Sequence, residues 1–102
     1  MSLDKYVLNG NGDAVVEPDR FRWAEWLEGA DRKIGNDYIG EVHVSTVFLG
    51  IDHAFGEGPP VLWETMIFGG PHNDYQERYT SREDAIAGHA KALRIVRGEE
   101  EP

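Results

Sequence analysis

Two histidines stand beside carboxylates near the middle of the chain, and these groups are the most able to do chemistry. Asp52 precedes His53, while His72 is followed by Asn73 and Asp74. An imidazole and a carboxylate together suit zinc or a similar metal, but such a site needs three or four ligands. Because no third ligand has a helpful spacing, we expect neither a metal centre nor a cofactor.

The spacing of these two histidines also argues against one shared site. His53 follows Thr46 by seven residues, and His72 follows Thr65 by the same interval. Consecutive strands of a hairpin run antiparallel, so a strand of about eight residues at ~3.3 Å each would hold the two histidines more than roughly 20 Å apart. We interpret the likeness as the chance similarity of two apolar strands.

A hydrolase would need a nucleophile, a base and a carboxylate in one place. Ser45 or Thr46 with His53 or His43 would supply the first two groups, but both hydroxyls lie mid-strand and no Gly-x-Ser-x-Gly turn is present. Glu57 and Glu64 could act as an acid/base pair, yet nineteen acids offer many such pairs. Cysteine is absent, so there is no thiol nucleophile. We predict no catalytic residue, and a small hydrolase or metal-dependent enzyme is the third hypothesis.

An anionic ligand has a better set of candidate residues. Arg78 and Arg82 lie close in sequence to several aromatic residues, and arginine with aromatic side chains binds phosphates and bases. This pattern predicts, as the alternative function, a protein that binds or sequesters a nucleotide-like signal. The candidate ligand-binding residues are His53, Trp63, Tyr75, Arg78, Tyr79 and Arg82.

The charge of the chain favours a protein partner. The formal net charge is −9, and residues 41–80 carry six acids and one base. Such a chain is not expected to follow the phosphates of a nucleic acid, but it suits a basic surface on another protein. The candidate partner-binding residues are Asp52, Glu57, Glu64 and Asp74.

Periodicity and turn residues indicate the elements that position these groups. Residues 5–16 predict a β-hairpin with Asn-Gly turns, and residues 18–31 an amphipathic helix. Residues 42–49 and 61–68 predict two buried strands on either side of a Gly/Pro-rich loop. Residues 75–79 predict an edge strand, in which Gln76 and Arg78 face water.

A further helix closes the predicted fold. Thr80 as N-cap and Glu83 form a capping box, and the helix is expected to run to Arg97, before a Gly98 C-cap. We interpret His89 as a hydrogen-bonded histidine at the core or its edge. The predicted apolar face of this helix consists of Ile86, His89, Leu93 and Val96.

These elements predict an α+β two-layer sandwich, in which two helices cover one face of an antiparallel sheet of about four to five strands. Residues 1–98 form a single domain and residues 99–102 an acidic, solvated tail. Residues 33–40 hold only a short strand between turns. Because both central strands are apolar on two sides, we expect the second sheet face to be buried in a homo-oligomer. No signal peptide or apolar stretch of ~18 residues is visible, so we expect a cytoplasmic protein without membrane contact.

Most of the chain resembles a family of small uncharacterised proteins from bacteriophages, prophages and actinobacterial genomes. The early Tyr6-Val7-Leu8 run, followed by a tryptophan-bearing helix, fits this resemblance, and the specific motif lies in the centre of the chain. Its residues are Ser45-Thr46-Val47-Phe48-Leu49-Gly50-Ile51-Asp52-His53, Phe55-Gly56, Gly58-Pro59-Pro60 and Glu64-Thr65-Met66-Ile67-Phe68-Gly69-Gly70.

The resemblance supplies no activity, cofactor or catalytic residue to transfer. It implies an accessory role in a bacterial host, and small phage proteins often act by binding. We therefore predict a non-catalytic, phage-type accessory protein that binds a host or phage protein through an acidic surface, with counter-defence as a candidate role.

Overall fold

The computed structural model describes residues 4–54 and 57–102, which form six strands and two helices. In chain order the elements are β1 (Tyr6–Leu8), β2 (Ala14–Val16), α1 (Arg20–Gly29), β3 (Lys33–Ile39), β4 (Val42–Phe48), β5 (Trp63–Phe68), β6 (Gln76–Tyr79) and α2 (Arg82–Val96). Phe55 and Gly56, which belong to the predicted loop and to the family motif, lie outside the described residues. The combination of helices with antiparallel sheets confirms the predicted α+β class.

The main sheet has four strands in the order β3-β4-β5-β6, each antiparallel to its neighbour. The apolar β4 and β5 occupy its centre, and β6 is an edge strand, as the sequence predicts. The strand β3 is longer than expected, at seven residues. Its glycine is accommodated because β3 is the other edge strand and its register with β4 shifts between Lys33 and Gly35.

The helix α2 packs on one face of this sheet and buries most of the core. On the sheet side, Val44, Phe48 and Ile67 are fully buried, and Ala85 and Ala92 of α2 are buried against them. The two alanines are small, so the helix can approach the strands closely. Burial of apolar side chains from both layers makes this interface the principal stabilising contact of the domain.

The N-cap of α2 and part of its buried face each differ by one residue from the sequence prediction. Ser81, not Thr80, is the N-cap, and its Oγ accepts the Asp84 amide at 3.1 Å. The buried residues of α2 are Ala85, His89, Ala92 and Ile95, so the predicted face was wrong at Ile86, which is 47% exposed. An alanine fits beneath the helix at position 85, where an isoleucine would be too large.

The C-terminal end of α2 has the predicted glycine cap. Gly98 has a φ of 78°, and its amide and that of Glu99 bond back to carbonyls of the last turn. The following Glu100 lies 3.0 Å from Arg94 Nε and 3.9 Å from Lys91 Nζ. The acidic end of the chain is therefore partly held against α2 by ion pairs.

The hairpin of β1 and β2 is a separate two-stranded sheet. Asn9 shapes its turn, because its side chain accepts the amides of Asn11 and Asp13. The helix α1 follows with Asp19 as its N-cap. Trp26 of α1 meets the edge of Phe48, with ring centroids 5.9 Å apart. Since Phe48 lies on the α2 side of the main sheet, α1 and the hairpin extend the core on that side.

Candidate functional site

Five polar side chains form one continuous chain of hydrogen bonds between the main sheet and α2. We call this set the buried polar chain; it consists of Asp37, His89, Thr46, Thr65 and Tyr79, of which His89, Thr46 and Thr65 are buried, Tyr79 is partly buried and Asp37 is exposed at one end. Asp37 Oδ2 lies 2.7 Å from His89 Nε2, and His89 Nδ1 lies 2.7 Å from Thr46 Oγ1. Thr46 Oγ1 is 2.5 Å from Thr65 Oγ1, which accepts the Tyr79 hydroxyl at 3.0 Å.

Strand register and two glycines create the space for this chain. Gly35, Thr46 and Thr65 are direct cross-strand partners, so their positions share the α2 side of the sheet. A Cβ at Gly35 would lie 2.5 Å from the His89 ring, and a Cβ at Gly88 would lie 2.1 Å from the Tyr79 hydroxyl oxygen. Only glycine fits at either position while these side chains keep their places.

The hydrogen bonds of the buried polar chain can all point in one direction. In this arrangement His89 Nε2 donates to Asp37 and His89 Nδ1 accepts the Thr46 hydroxyl. Thr65 then donates to Thr46, and Tyr79 donates to Thr65. Burial raises the pKa of Tyr79 above its usual value, which favours the protonated hydroxyl that this arrangement requires. Every donor between Tyr79 and Asp37 is therefore used.

A hydroxyl, an imidazole and a carboxylate in sequence have the composition of a catalytic triad, but their burial argues for a structural role. The side chain of Thr46 has no exposed surface, and His89 is buried as well. The hydroxyl of Thr46 is also bonded to Thr65. Since a nucleophile must contact its substrate, Thr46 cannot act as one in this arrangement. The prediction that His89 is a hydrogen-bonded core histidine is confirmed.

The opposite side of the main sheet carries a stack of three aromatic rings. The rings of Tyr38 and His43 lie 4.4 Å apart between centroids and nearly parallel, and His43 is 5.6 Å from Phe68. Tyr38 is 66% exposed and Phe68 is 44% exposed. Asn36 orients the middle ring through a 2.6 Å contact between its Oδ1 and His43 Nε2. The three strands β3, β4 and β5 thus present one aromatic patch to solvent.

We call this side of the sheet the open face. Beside the rings it carries Ser45, Met66, Val47, the ion pair between Glu64 and Arg78, and Lys33 and Gln76 at the edges. In the part of the chain that the structure describes, α1, α2 and the hairpin contact the main sheet on the other side, where Trp26 meets Phe48. Because Glu64 and Arg78 offset each other, the residues named on the open face carry little net charge, although the whole chain has a charge of −9.

The six candidate ligand-binding residues do not meet in one place. Tyr75, Arg78 and Tyr79 line a cavity of about 400 Å³ beside α2. Trp63 and Arg82 line a different cavity, of about 320 Å³. His53 lines neither, and its Nδ1 lies 2.8 Å from the carbonyl oxygen of Ile51. Arg78 is also engaged by Glu64, with Nε to Oε2 at 2.8 Å.

The four candidate partner-binding acids do not form one surface either. Asp52 is buried, and its Oδ1 accepts the amides of Ala54 and Val61 at 2.8 and 2.9 Å, so it shapes the loop rather than meeting a partner. Glu64 is neutralised by Arg78 on the open face. Glu57 and Asp74 are exposed, but they lie before and after β5, towards opposite ends of that strand.

Within residues 4–54 and 57–102, no group of three or more histidines and acids lies close enough to hold a metal ion. His72 lines a small cavity of about 40 Å³ next to Val42 and Val96. No helix in the same residues is long and apolar enough to cross a membrane.

Comparison with known proteins does not supply a function. A scan against protein-family models, a search of curated proteins and a search of solved structures each found no match for this chain. The resemblance to phage and actinobacterial proteins therefore stays a prediction.

The aromatic stack was not among the sequence candidates, although a signal for it exists. His43 and Phe68 alternate with the buried residues of β4 and β5, which places them on the side opposite α2. Tyr38 joins them through its cross-strand pairing with His43. That pairing depends on the β3 register, which the sequence alone does not fix.

Proposed function

We propose that this chain is a non-catalytic accessory protein of the phage type, that it binds a host or phage protein in the bacterial cytoplasm, and that the open face is its docking surface. The observation that carries this proposal is the exposed ring stack of Tyr38, His43 and Phe68. Aromatic residues are enriched in protein–protein interfaces and at their energetic centres. Contact with a partner would remove the exposed surface of these rings from water.

The size of the open face indicates that a partner must also contact its rim. Four strands about 4.8 Å apart, with four to seven residues each at ~3.3 Å per residue, cover on the order of 300–400 Å² in projection. A standard interface buries roughly 800 Å² on each partner. Stable binding would therefore extend beyond the sheet to the loops around it.

The rim nearest to the ring stack is acidic. Glu41 lies in the turn between β3 and β4, and Asp74 lies in the connection between β5 and β6, at the same end of the sheet. Both residues are exposed. An apolar centre with an acidic rim suits a protein that presents an apolar patch edged by lysine or arginine. This surface retains Asp74 from the sequence candidates and adds Glu41.

A different protein fits this surface better than a second copy does. Self-association would bring together two chains that each carry a net charge of −9. In the homo-oligomer expected from the sequence, a second copy of the chain would cover the open face instead. The mass of the cross-linked adduct distinguishes these two cases. Counter-defence would correspond to a host partner, whereas another accessory role would correspond to a phage partner.

The proposal is tested by placing a photo-reactive phenylalanine analogue at position 38 in bacterial cells. A matched probe at position 21 reports non-specific capture, because Phe21 is 80% exposed but lies on α1. We expect a discrete adduct at position 38 that is absent at position 21, competed by untagged wild-type protein, and lost in Asp74→Lys.

Three results would count against the proposal. Equal adducts at positions 38 and 21 would mean that the ring stack is not selective. An adduct that survives Asp74→Lys would remove the acidic rim from the account. An adduct with twice the mass of the chain would assign the open face to a second copy.

A further inference from the structure

A second surface feature lies between the β1–β2 turn and the N-terminus of α2, away from the open face. It is a cavity of about 320 Å³, and two distant parts of the chain form its walls. The hairpin turn supplies one wall, the first turn of α2 supplies another, and β5 contributes a tryptophan. The lining includes Asp13, Trp63, Arg82 and Glu83.

The indole N–H of Trp63 has no hydrogen-bond acceptor. Trp63 is 4% exposed, and its Nε1 is the only buried side-chain nitrogen or oxygen in the described residues that lacks a partner. By contrast, Trp23 Nε1 donates to the carbonyl of Gly50 at 3.0 Å. Because buried donors are nearly always paired, the unpaired indole N–H of a residue that lines a cavity is a candidate contact for a ligand.

Arg82 is a second hydrogen-bond donor in this lining, and it is exposed to water. Its side chain is exposed and lies against the hairpin turn, with Nε 3.7 Å from the position that a Cβ on Gly12 would occupy. It makes no ion pair or side-chain hydrogen bond in the described part of the chain. The positive end of the fifteen-residue helix α2 adds to the attraction for a negative group.

Two carboxylates in the same lining limit the kind of ligand. Asp13 and Glu83 both border the cavity, so one cation faces two anions. A phosphate or a nucleotide would meet repulsion from these acids. A ligand with separate negative and positive groups would find a partner for each.

We propose that this cavity binds a small zwitterion of the amino-acid type. Its carboxylate would pair with Arg82 and accept the Trp63 indole N–H, while its ammonium group would pair with Asp13 or Glu83. Less than 1 Å² of Trp63 Nε1 is exposed, so the proposal requires the side chains around the indole to move when the carboxylate binds. This site is independent of the open face, and its ligand class differs from the nucleotide-like signal expected from the sequence.

The indole region of a ¹H–¹⁵N NMR spectrum tests the site directly. The chain has three tryptophans, and Trp63→Phe identifies the Trp63 signal. The probes are the standard α-amino acids, with sodium acetate, methylamine and inorganic phosphate as single-charge and anionic contrasts. We expect at least one amino acid to shift the Trp63 signal saturably at millimolar concentration, while the Trp23 signal, already hydrogen-bonded, stays in place.

Arg82→Gln and Arg97→Gln are the matched variants for this titration. Both remove one positive charge from an exposed arginine, at opposite ends of α2. We expect Arg82→Gln to weaken amino-acid binding by about tenfold or more, and Arg97→Gln to leave it unchanged. Because Arg82 is exposed, its variant should fold even if Trp63→Phe does not.

The proposal is overturned if no amino acid shifts the Trp63 signal. It is equally overturned if acetate or phosphate shifts the signal as well as any amino acid does, because the site would then recognise only the negative group. Equal losses of binding in Arg82→Gln and Arg97→Gln would show that overall charge, and not this cavity, controls the response.

Discussion

The two faces of the four-stranded sheet carry different kinds of side chain, although both kinds come from the same strands. In β4, Thr46 points towards α2 and joins the buried polar chain, while His43 and Ser45 of the same strand lie on the open face. The covered face thus holds a line of polar groups whose central members are buried, and the open face exposes a stack of aromatic rings. The residues that resemble catalytic machinery are therefore the ones that stabilise the domain.

This contrast follows from two physical requirements: buried polar groups need hydrogen-bond partners, and apolar rings need a surface to pack against. A buried hydroxyl or imidazole is tolerated when it is hydrogen-bonded, and each member of the buried polar chain has such partners. Tyr38 and Phe68 cannot bury their surface within the domain, because no described element covers them. Substitutions on the two faces should accordingly have different consequences, for stability on one face and for binding on the other.

The largest effect on stability is expected from Gly88→Ala. In an exposed helix this change would stabilise by about 1 kcal/mol, but here the new methyl group would collide with the Tyr79 ring. We expect a loss of about 2–4 kcal/mol in the free energy of unfolding, measured by denaturant titration. Gly29→Ala, at the end of α1 with nothing within 4 Å, is the matched control and should not destabilise. Equal stability of the two variants would contradict the tight packing around Tyr79.

The second prediction compares neighbouring residues on opposite faces of β4. Thr46→Val keeps the shape of the side chain but leaves His89 and Thr65 without a shared partner. We expect it to lower the free energy of unfolding by about 1–3 kcal/mol. Ser45→Ala on the open face should change it by no more than about 0.5 kcal/mol. The two-face account fails if Ser45→Ala costs as much as Thr46→Val.

The third prediction concerns alkaline pH and Tyr79. Because burial raises the pKa of Tyr79 in the folded protein above the usual value of 10.0, the unfolded chain loses this proton first as pH rises. The stabilisation from the neutral hydroxyl is therefore fully present below about pH 10 and is lost as pH rises through the folded-state pKa.

Tyr79→Phe should then lose less stability than the wild type between neutral pH and pH values above about 10. At neutral pH the same variant should be less stable by about 1 kcal/mol, since the bond to Thr65 is absent. Denaturant titrations at several pH values measure both quantities. Parallel pH profiles for the two proteins would show that Tyr79 does not contribute to the alkaline loss.

The smallest effect on stability is expected on the open face. Tyr38→Ser and Phe68→Ser remove exposed rings, so each should change the free energy of unfolding by roughly 0.5 kcal/mol or less. The melting temperature and near-ultraviolet circular dichroism would check that the fold is kept. A loss as large as that of Thr46→Val would mean that the ring stack serves the stability of the domain.

Much of the fold could be predicted from the sequence, because its signals are local. The Asn-rich turn of the hairpin, the two apolar central strands and the glycine after α2 depend on neighbouring residues, and each is present where expected. The start of α2 was misplaced because Thr80 and Ser81 are adjacent hydroxyls with the same capping chemistry. The buried face was predicted at Ile86 because isoleucine is more hydrophobic than alanine. In the structure the smaller Ala85 is the residue buried against the sheet.

The site was harder to predict, because its residues are brought together by register and tertiary packing. The buried polar chain combines side chains from β3, β4, β5, β6 and α2, and only His89 of these was interpreted correctly. Trp63 and Arg82 share a cavity only because the hairpin turn, some fifty residues earlier than Trp63, packs beside them. Asp52 was expected on the surface because it is charged, but the fold of its loop buries its side chain.

The most direct test of the central claim is the affinity of the protein captured at position 38 for three purified variants. Phe68→Ser alters the open face, Thr46→Val alters the buried polar chain, and Phe21→Ser alters an exposed ring on α1. Isothermal titration calorimetry below the melting temperature of each variant would give the dissociation constants. The two-face account predicts about tenfold or greater weakening for Phe68→Ser and wild-type affinity for the other two. Wild-type affinity for Phe68→Ser, or equal weakening for all three, would contradict it.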